Sequence, residues 1–484
     1  MTPPKLSLPR EAIKLRNLGS DTLQHALILA VDGNANKTGL VAPAKVSKPA
    51  VIRHFVESLF MTRILKASNW TRRQFVYTGL AFGSHRLLAR PIRDDSHADE
   101  LPAWSEGELE IHHIDTGRGN ATFLLAPDGT TMLIDCGATN DPPETTAPPR
   151  PDASRLPGEW VARYVLRRAR AAGRNTLDYM IATHVHPDHI GDLPPGTELP
   201  ADGSYIPTGL SQVDQFMPAG TVIDRSFPDY GQLPPPRAQY AVNYLAWLRA
   251  RRRTGKRVER LEVGSARQIR LRFPMKGPAF SVRGVAANGR VWTSVGEETR
   301  LVFPDLRSMP NDDKPTENDC SIALRIEYGR FSYFTGGDLN ADTHDGREPW
   351  LDVEAPVTKV CGRVEVAVAD HHAYFDACGP HFVKNLDAQA YIILAWHLTH
   401  PGQAQIERLV GAWPYEKHRD VFATEMLPAN RLLNSRWVND IKSRQGHIVV
   451  RVSADGLSFR IFVLDSTTEF DSVTLVSGPY VCRA

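Results

Sequence analysis

Cysteine is scarce and scattered in this chain: Cys136, Cys320, Cys361, Cys378 and Cys482 are the five in 484 residues, and no two form a C-x-x-C pair. The odd count argues against a complete disulfide framework, and the missing pairs argue against thiolate zinc ligands, so these side chains are expected to pack in the core. No apolar run reaches the roughly 18 residues of a membrane-spanning helix, and none is expected. Charge of one sign is also lacking. A formal charge of +2 gives no global field of the kind that marks a nucleic-acid binder. No internal repeat of about 20 to 50 residues is present. What is left is a chain with 42% hydrophobic and 23% charged residues, long enough for one large core or two ordinary ones.

Against that background the stretch Thr183-His184-Val185-His186-Pro187-Asp188-His189 stands out. His184, His186, Asp188 and His189 put four metal-ligand side chains within six residues. They directly follow the apolar run Leu177 to Ala182, which reads as a buried strand ended by a turn. Imidazole nitrogens and a carboxylate suit Zn²⁺ and its first-row neighbours. His184 and His186, two apart, can point the same way as the chain leaves the strand, and Asp188 and His189, past the turn at Pro187, can face a second ion. Two ions about 3.5 to 4 Å apart, clamping a hydroxide, are the natural product. The competing reading is a solvated His-rich loop, but His is only 17 of 484 residues and such a cluster is improbable by chance.

His184-Val185-His186-Pro187-Asp188-His189 resembles the H-x-H-x-D-H signature of the metallo-β-lactamase superfamily. The resemblance implies an α/β fold, the αββα sandwich, with one or two metals at the sheet edges. A narrower likeness lies upstream. Ile114-Asp115-Thr116-Gly117-Arg118-Gly119-Asn120-Ala121 and Leu133-Ile134-Asp135-Cys136-Gly137 are similar to the opening of the ComEC/Rec2-type metallo-β-lactamase-like domain. They read as strands, with a hairpin turning at Asp128-Gly129. Gly117 and Gly119 let the backbone run close beneath the metals, and Asp135 is expected to stand behind the ligands, accepting a hydrogen bond that sets the tautomer of a ligand His.

The same resemblance assigns residues downstream. Two strands separated by Tyr328-Gly329 lead to Thr335-Gly336-Gly337-Asp338, which resembles the family's T-G-D, so Asp338 is the expected bridge between two metals, displaced slightly by the extra Gly. No His stands between His189 and His344 to serve as third ligand of the first ion; Asp319, in Asn318-Asp319-Cys320-Ser321, is the substitute. The strand Val364 to Ala369 ends in Asp370-His371-His372-Ala373, where relatives carry H-H-G-S. His372 is taken as ligand of the second ion and His371 as phosphate contact or proton donor, with the roles open to exchange. In Trp396-His397-Leu398-Thr399-His400-Pro401, His400 is a candidate substrate or relay residue and His397 is structural. The ligand set is therefore His184, His186, Asp188, His189, Asp319, Asp338 and His372, and the chemistry itself falls to Asp188, His371 and His400.

Other stretches carry less. The Pro-rich 138–158 reads as an exposed loop near the site. Gly158 to Ala172 reads as a helix with Trp160, Val161, Tyr164, Val165 and Leu166 on one face and a solvated face of Arg163, Arg167, Arg168 and Arg170. From Gly191 to Ser308 the pattern yields a helix over Tyr240 to Arg252 and short strands at Gln268 to Phe273 and Phe280 to Val285. Substrate selectivity is expected to reside there without being legible. The closing hairpin, Gly446 to Val463, is expected to complete the second sheet.

Residues 1–104 form an extension outside the resemblance, and 105–484 the catalytic domain. Thr71-Arg72-Arg73-Gln74-Phe75-Val76 and the weakly apolar Tyr77 to Gly83 resemble a twin-arginine export signal within 61–93, with Met61 as an alternative start. The expected location is periplasmic or secreted if that segment acts as a signal, and cytoplasmic otherwise. The combined reading is a dinuclear hydrolase using two divalent ions, Zn²⁺ first and Mn²⁺ second, on a phosphodiester substrate that is either a small molecule or a nucleic acid. Two alternatives stand beside it: a hydrolase of a lactam, lactone or thioester, and a non-catalytic metal-binding scaffold. Nothing in the sequence indicates a protein partner.

Overall fold

The computed structural model describes residues 100–483 apart from 311–312 and 412–416. The export-like segment at 61–93 lies outside the described residues.

Among the described residues, eighteen strands form two nine-stranded sheets. In chain order the first six are β1 (Leu109–His113), β2 (Ala121–Leu125), β3 (Thr131–Cys136), β4 (Leu177–Ile181), β5 (Ala219–Asp224) and β6 (Arg257–Arg260). Then come β7 (Phe280–Ala287), β8 (Arg290–Trp292), β9 (Thr299–Leu301), β10 (Ala323–Tyr328), β11 (Phe331–Thr335) and β12 (Val366–Val368). The last are β13 (Ala390–Ile393), β14 (Asp420–Ala423), β15 (Ile441–Ser443), β16 (His447–Val452), β17 (Ser458–Leu464) and β18 (Val473–Val481). One sheet runs β18-β17-β16-β1-β2-β3-β4-β5-β6, the other β15-β14-β13-β12-β11-β10-β7-β8-β9. In each, an antiparallel half gives way to a parallel half, β3 to β6 in the first and β11 to β15 in the second.

The sheets stack on a shared apolar layer. Ile111, Met132, Ile134 and Ile181 face Leu324, Ile326, Tyr333, Val366 and Ile392 there. Strands buried on both faces need near-continuous apolar sequence, and Leu177 to Ala182 and Phe331 to Thr335 supply it. The outer face of the first sheet is covered by helices Pro157–Ala169, Gly209–Phe216 and Gln239–Arg253. Helices Glu354–Cys361, Pro380–Leu386 and Gln403–Leu409 cover the second. The result is the αββα arrangement. The five cysteines are all free and buried.

Three expectations need correction. The closing hairpin β16–β17 joins the first sheet, not the second, because β16 pairs antiparallel with β1 over five residues and buries Ile448, Val450 and Val452 between the sheets. Gln268 to Phe273 is no strand: a single bridge, Ile269 to Val282, is all it makes. The arginine face of helix Pro157–Ala169 is not simply solvated, since Arg163 and Arg167 pair with Glu469, and Arg167 and Arg168 with Asp471. Those pairs tie the helix to the β17–β18 connection.

Candidate metal centre

In open parallel sheets the carboxyl ends of the strands are where side chains leave the ladder and converge on a ligand. Here β4 delivers residues 182–190 from one sheet, while β11, β12 and β13 deliver residues 336–340, 369–373 and 394–400 from the other. Two donor groups form where they meet. Asp188, His189, Asp338 and His372 make one, and His184, His186 and Asp338 the other; within each group one donor atom per residue lies within 4.8 Å of the rest. Asp338 belongs to both.

The local backbone explains the convergence. After β4, Thr183 N donates to Asp135 Oδ1 (2.8 Å) and Thr183 Oγ1 to Asp135 Oδ2 (2.7 Å). The same Oδ2 accepts from His189 Nδ1 (2.8 Å). His189 thus carries its proton on Nδ1 and turns Nε2 toward Asp338 Oδ1 (3.1 Å) and Asp188 Oδ2 (3.4 Å). The turn at residues 187–190 lies flat on Gly137, where a Cβ would come 1.9 Å from the Asp188 carbonyl carbon, so no larger residue fits. Gly337 has φ of +60°, and a Cβ there would sit 3.0 Å from Ser321 Cβ and 3.1 Å from Thr183 Cβ. The glycine preceding Asp338 is what lets the carboxylate enter the cluster, and Asp338 N donates to Ser321 Oγ (3.1 Å).

His372 Nδ1 donates to the Leu394 carbonyl (2.9 Å), which leaves Nε2 as a lone pair 3.0 Å from Asp188 Oδ2 and 3.6 Å from Asp338 Oδ2. His184 Nε2 and His186 Nδ1 face each other at 3.1 Å. His189 Nε2 and Asp338 Oδ1 are buried with no hydrogen-bond partner. Lone pairs of imidazole and carboxylate aimed at one another in a buried space call for protons or cations between them. This donor set, nitrogen and carboxylate without thiolate, fits first-row divalent ions. The electrostatics of the protein groups alone pull both ways: against the effect of burial, the carboxylates Asp338, Asp188 and Asp135 hold His189 well above the usual imidazole range. Burial would raise the Asp338 carboxyl, yet His189, His372, His371 and His184 hold it well below the usual carboxylate range. Burial, with His189 nearby, pushes His184 well down toward the neutral form that a ligand needs.

His371 lies outside both groups. Its Nδ1 donates to Asp376 Oδ1 (2.7 Å), and its Nε2 lies 3.8 Å from Asp338 Oδ2 and 3.3 Å from Asn318 Nδ2. Burial disfavours its charge, but Asp338 and Asp376 push its pKa up to about 9. His400 is buried and stacks on His372 with ring centroids 4.7 Å apart, and its Nδ1 has no hydrogen-bond partner. His397 bonds Thr399 Oγ1 (2.8 Å). The Pro-rich loop is not fully exposed: Thr145 to Ala147 are buried against residues 396–398.

Asp319 does not join the first group. Its Oδ2 accepts from Thr316 N (2.7 Å) and Thr316 Oγ1 (2.8 Å), and its Oδ1 from Asn340 Nδ2 (3.1 Å). The 3-10 turn Asn318–Cys320 folds the side chain back onto its own loop, and burial pushes this carboxyl up to about 6. Sequence reasoning missed Asp376, and also Glu317, Arg225 and Asn288, which support the His184–His186 loop. These residues belong to no local pattern, so no spacing signal was available.

The two-sheet sandwich thus brings buried histidines and carboxylates together at its strand tips, a donor set that could hold metal ions. Residues 114–209 match the family model described as "Metallo-beta-lactamase superfamily". No curated protein matches the chain. Among solved structures it is similar to a protein of Parabacteroides distasonis described provisionally as a metal-dependent hydrolase, at 13% identity and a TM-score of 0.32, covering 68% of this chain and 98% of that one. It is also similar to the short form of human tRNase Z, at 12% identity and a TM-score of 0.25, covering 58% of this chain and 91% of that one.

Proposed function

We propose that this chain is a dinuclear metal-dependent phosphodiesterase. The observation that carries the reading is the sharing of Asp338 between the His184–His186 pair and the Asp188–His189–His372 group. Zn²⁺ is the expected ion, with Mn²⁺ second. When bound, such ions supply an activated water at neutral pH and polarise the scissile bond.

The chain's own residues do the rest. Asp135 and the Leu394 carbonyl keep the protons of His189 and His372 on Nδ1, so that both Nε2 atoms stay turned into the cluster. His371, held by Asp376, directs Nε2 at the space beside Asp338, where it can bind a phosphate oxygen or pass a proton to the leaving oxygen. His400 braces the His372 ring and offers Nδ1 as a contact for substrate or proton relay. The His371-His372 pair, together with the likeness of residues 114–137 to the ComEC-type domain, favours phosphate esters over lactams, lactones and thioesters.

The test is hydrolysis of bis-p-nitrophenyl phosphate by the full-length chain, with metal content measured on the same sample and Asp338→Ala alongside. Metal-dependent turnover with about two ions per chain, both lost in the variant, is the expected result for a shared bridging carboxylate. Two ions without turnover would redirect the search to lactam, lactone and thioester substrates. A protein that binds no ion would overturn the mechanism.

A further inference from the structure

The two donor groups are unequal. Among the described residues, Asp188, His189, His372 and Asp338 surround one position, whereas His184, His186 and Asp338 alone surround the other, because Asp319 is committed elsewhere. The weaker position depends more on having its two histidines already in place. Between them lies Val185, whose side chain is buried in the core under the first sheet and whose N–H falls beyond the last rung of β4. That N–H donates to Glu317 Oε1 (2.8 Å).

Glu317 is itself clamped. Arg225 Nε donates to its Oε1 (2.7 Å) and Arg225 Nη2 to its Oε2 (2.7 Å), a two-pronged pair between side chains 1% and 5% exposed. Arg225 also donates to Asn288 Oδ1 (2.6 Å) and the Leu233 carbonyl (3.0 Å), and its guanidinium lies 4.7 Å from the Tyr230 ring. Asn288 returns a bond from Nδ2 to the Arg225 carbonyl (2.7 Å). The guanidinium is thus fixed by the loop after β5 and by the β7–β8 turn. A buried ion pair is weak evidence of stabilisation, since desolvation offsets most of the attraction. What this one delivers is a rigid acceptor at a single peptide N–H.

We propose that Glu317, held by Arg225 and Asn288, is a positioning residue that presets His184 and His186 for the first metal ion. This rests on the two-position reading above. It also gives a role to part of the 191–308 region: its residues brace the metal loop from outside.

The test uses Zn²⁺ alone, the full-length chain, and two double variants that both remove the buried charges. Arg225→Met with Glu317→Gln keeps an acceptor for Val185 N–H; Arg225→Met with Glu317→Leu does not. Stoichiometry and affinity are read by competition with a chromophoric chelator, and folding by thermal denaturation in chelator. The Gln variant is expected to bind both ions near wild-type affinity. The Leu variant is expected to lose about 10- to 100-fold at one position only, the range found for residues supporting metal ligands. Equal affinities in the two variants, whether both intact or both weakened, would overturn the role of the acceptor. Fewer than two ions on the wild type would instead overturn the two-position reading, and absence of phosphodiester turnover would leave this test unaffected.

Discussion

Asp135→Asn tests how the protein controls a proton that it never releases. Asp135 accepts three hydrogen bonds: from Thr183 N (2.8 Å), Thr183 Oγ1 (2.7 Å) and His189 Nδ1 (2.8 Å). An asparagine has one accepting oxygen. Placed at the Oδ1 position, it keeps the bond from Thr183 N, and its amide NH₂ then faces His189 Nδ1. The ring can accept that bond only by moving its proton to Nε2, the atom that points at Asp188 and Asp338. The opposite amide orientation sets NH₂ against the Thr183 N–H, donor to donor, which is worse. The variant thus keeps every proposed ligand and spoils the tautomer of one. Loss of an orienting partner costs about 10- to 100-fold in metal affinity, or roughly 1.4 to 2.7 kcal/mol. The assay is zinc competition with a two-site fit. Two outcomes refute the reasoning: an asparagine variant that binds both ions like wild type, or one that loosens the His184–His186 position while sparing the His189 position.

Two further outcomes follow from the same geometry. Gly337→Ala puts a side chain on a residue with φ of +60° and within 3.1 Å of Ser321 and Thr183; it is expected to cost more than about 1 kcal/mol and to lower zinc occupancy, read by melting with and without zinc, and an unchanged melt in both conditions would contradict it. His113 is buried between Ile448 O and Tyr333 Oη, and burial pushes its pKa from 6.5 down to about 3. The unfolded chain therefore takes up a proton below about pH 6.5 that the folded chain refuses until about pH 3, so this contribution to stability is complete above the upper value and is lost as pH falls through that window. Denaturation of chelator-treated protein should show a shallower acid slope in His113→Gln, by up to about 1.4 kcal/mol per pH unit; parallel slopes would contradict it.

How much was legible depended on how local each feature is. The cluster from His184 to His189 was readable because its donors sit on one strand end, and strand length, turn and ligand type all show in consecutive residues. Asp338 and His372 could be read for a similar reason, each closing or following an apolar run. Asp319 was read as a ligand because a carboxylate in the right motif has the right chemistry, but its oxygens are taken by Thr316 and by Asn340 twenty-one residues on. Sequence position does not say which partner reaches a carboxylate first. Glu317 and Arg225 stand 92 residues apart, and Asn288 meets Arg225 across 63; such pairs form only after both sheets have packed.

Residue types and strand tips were determined by the sequence alone: which side chains can bind a metal, and that they are carried where apolar runs end. The tertiary structure decided which of them meet. His184, His186, Asp188 and His189 leave the first sheet, while Asp338 and His372 leave the second. Only the stacking of the two sheets on their common apolar layer brings Asp338 within reach of both groups. Ligation tolerates errors of a few tenths of an ångström. That precision comes from side-chain packing and long-range hydrogen bonds, which a linear pattern of residues does not encode.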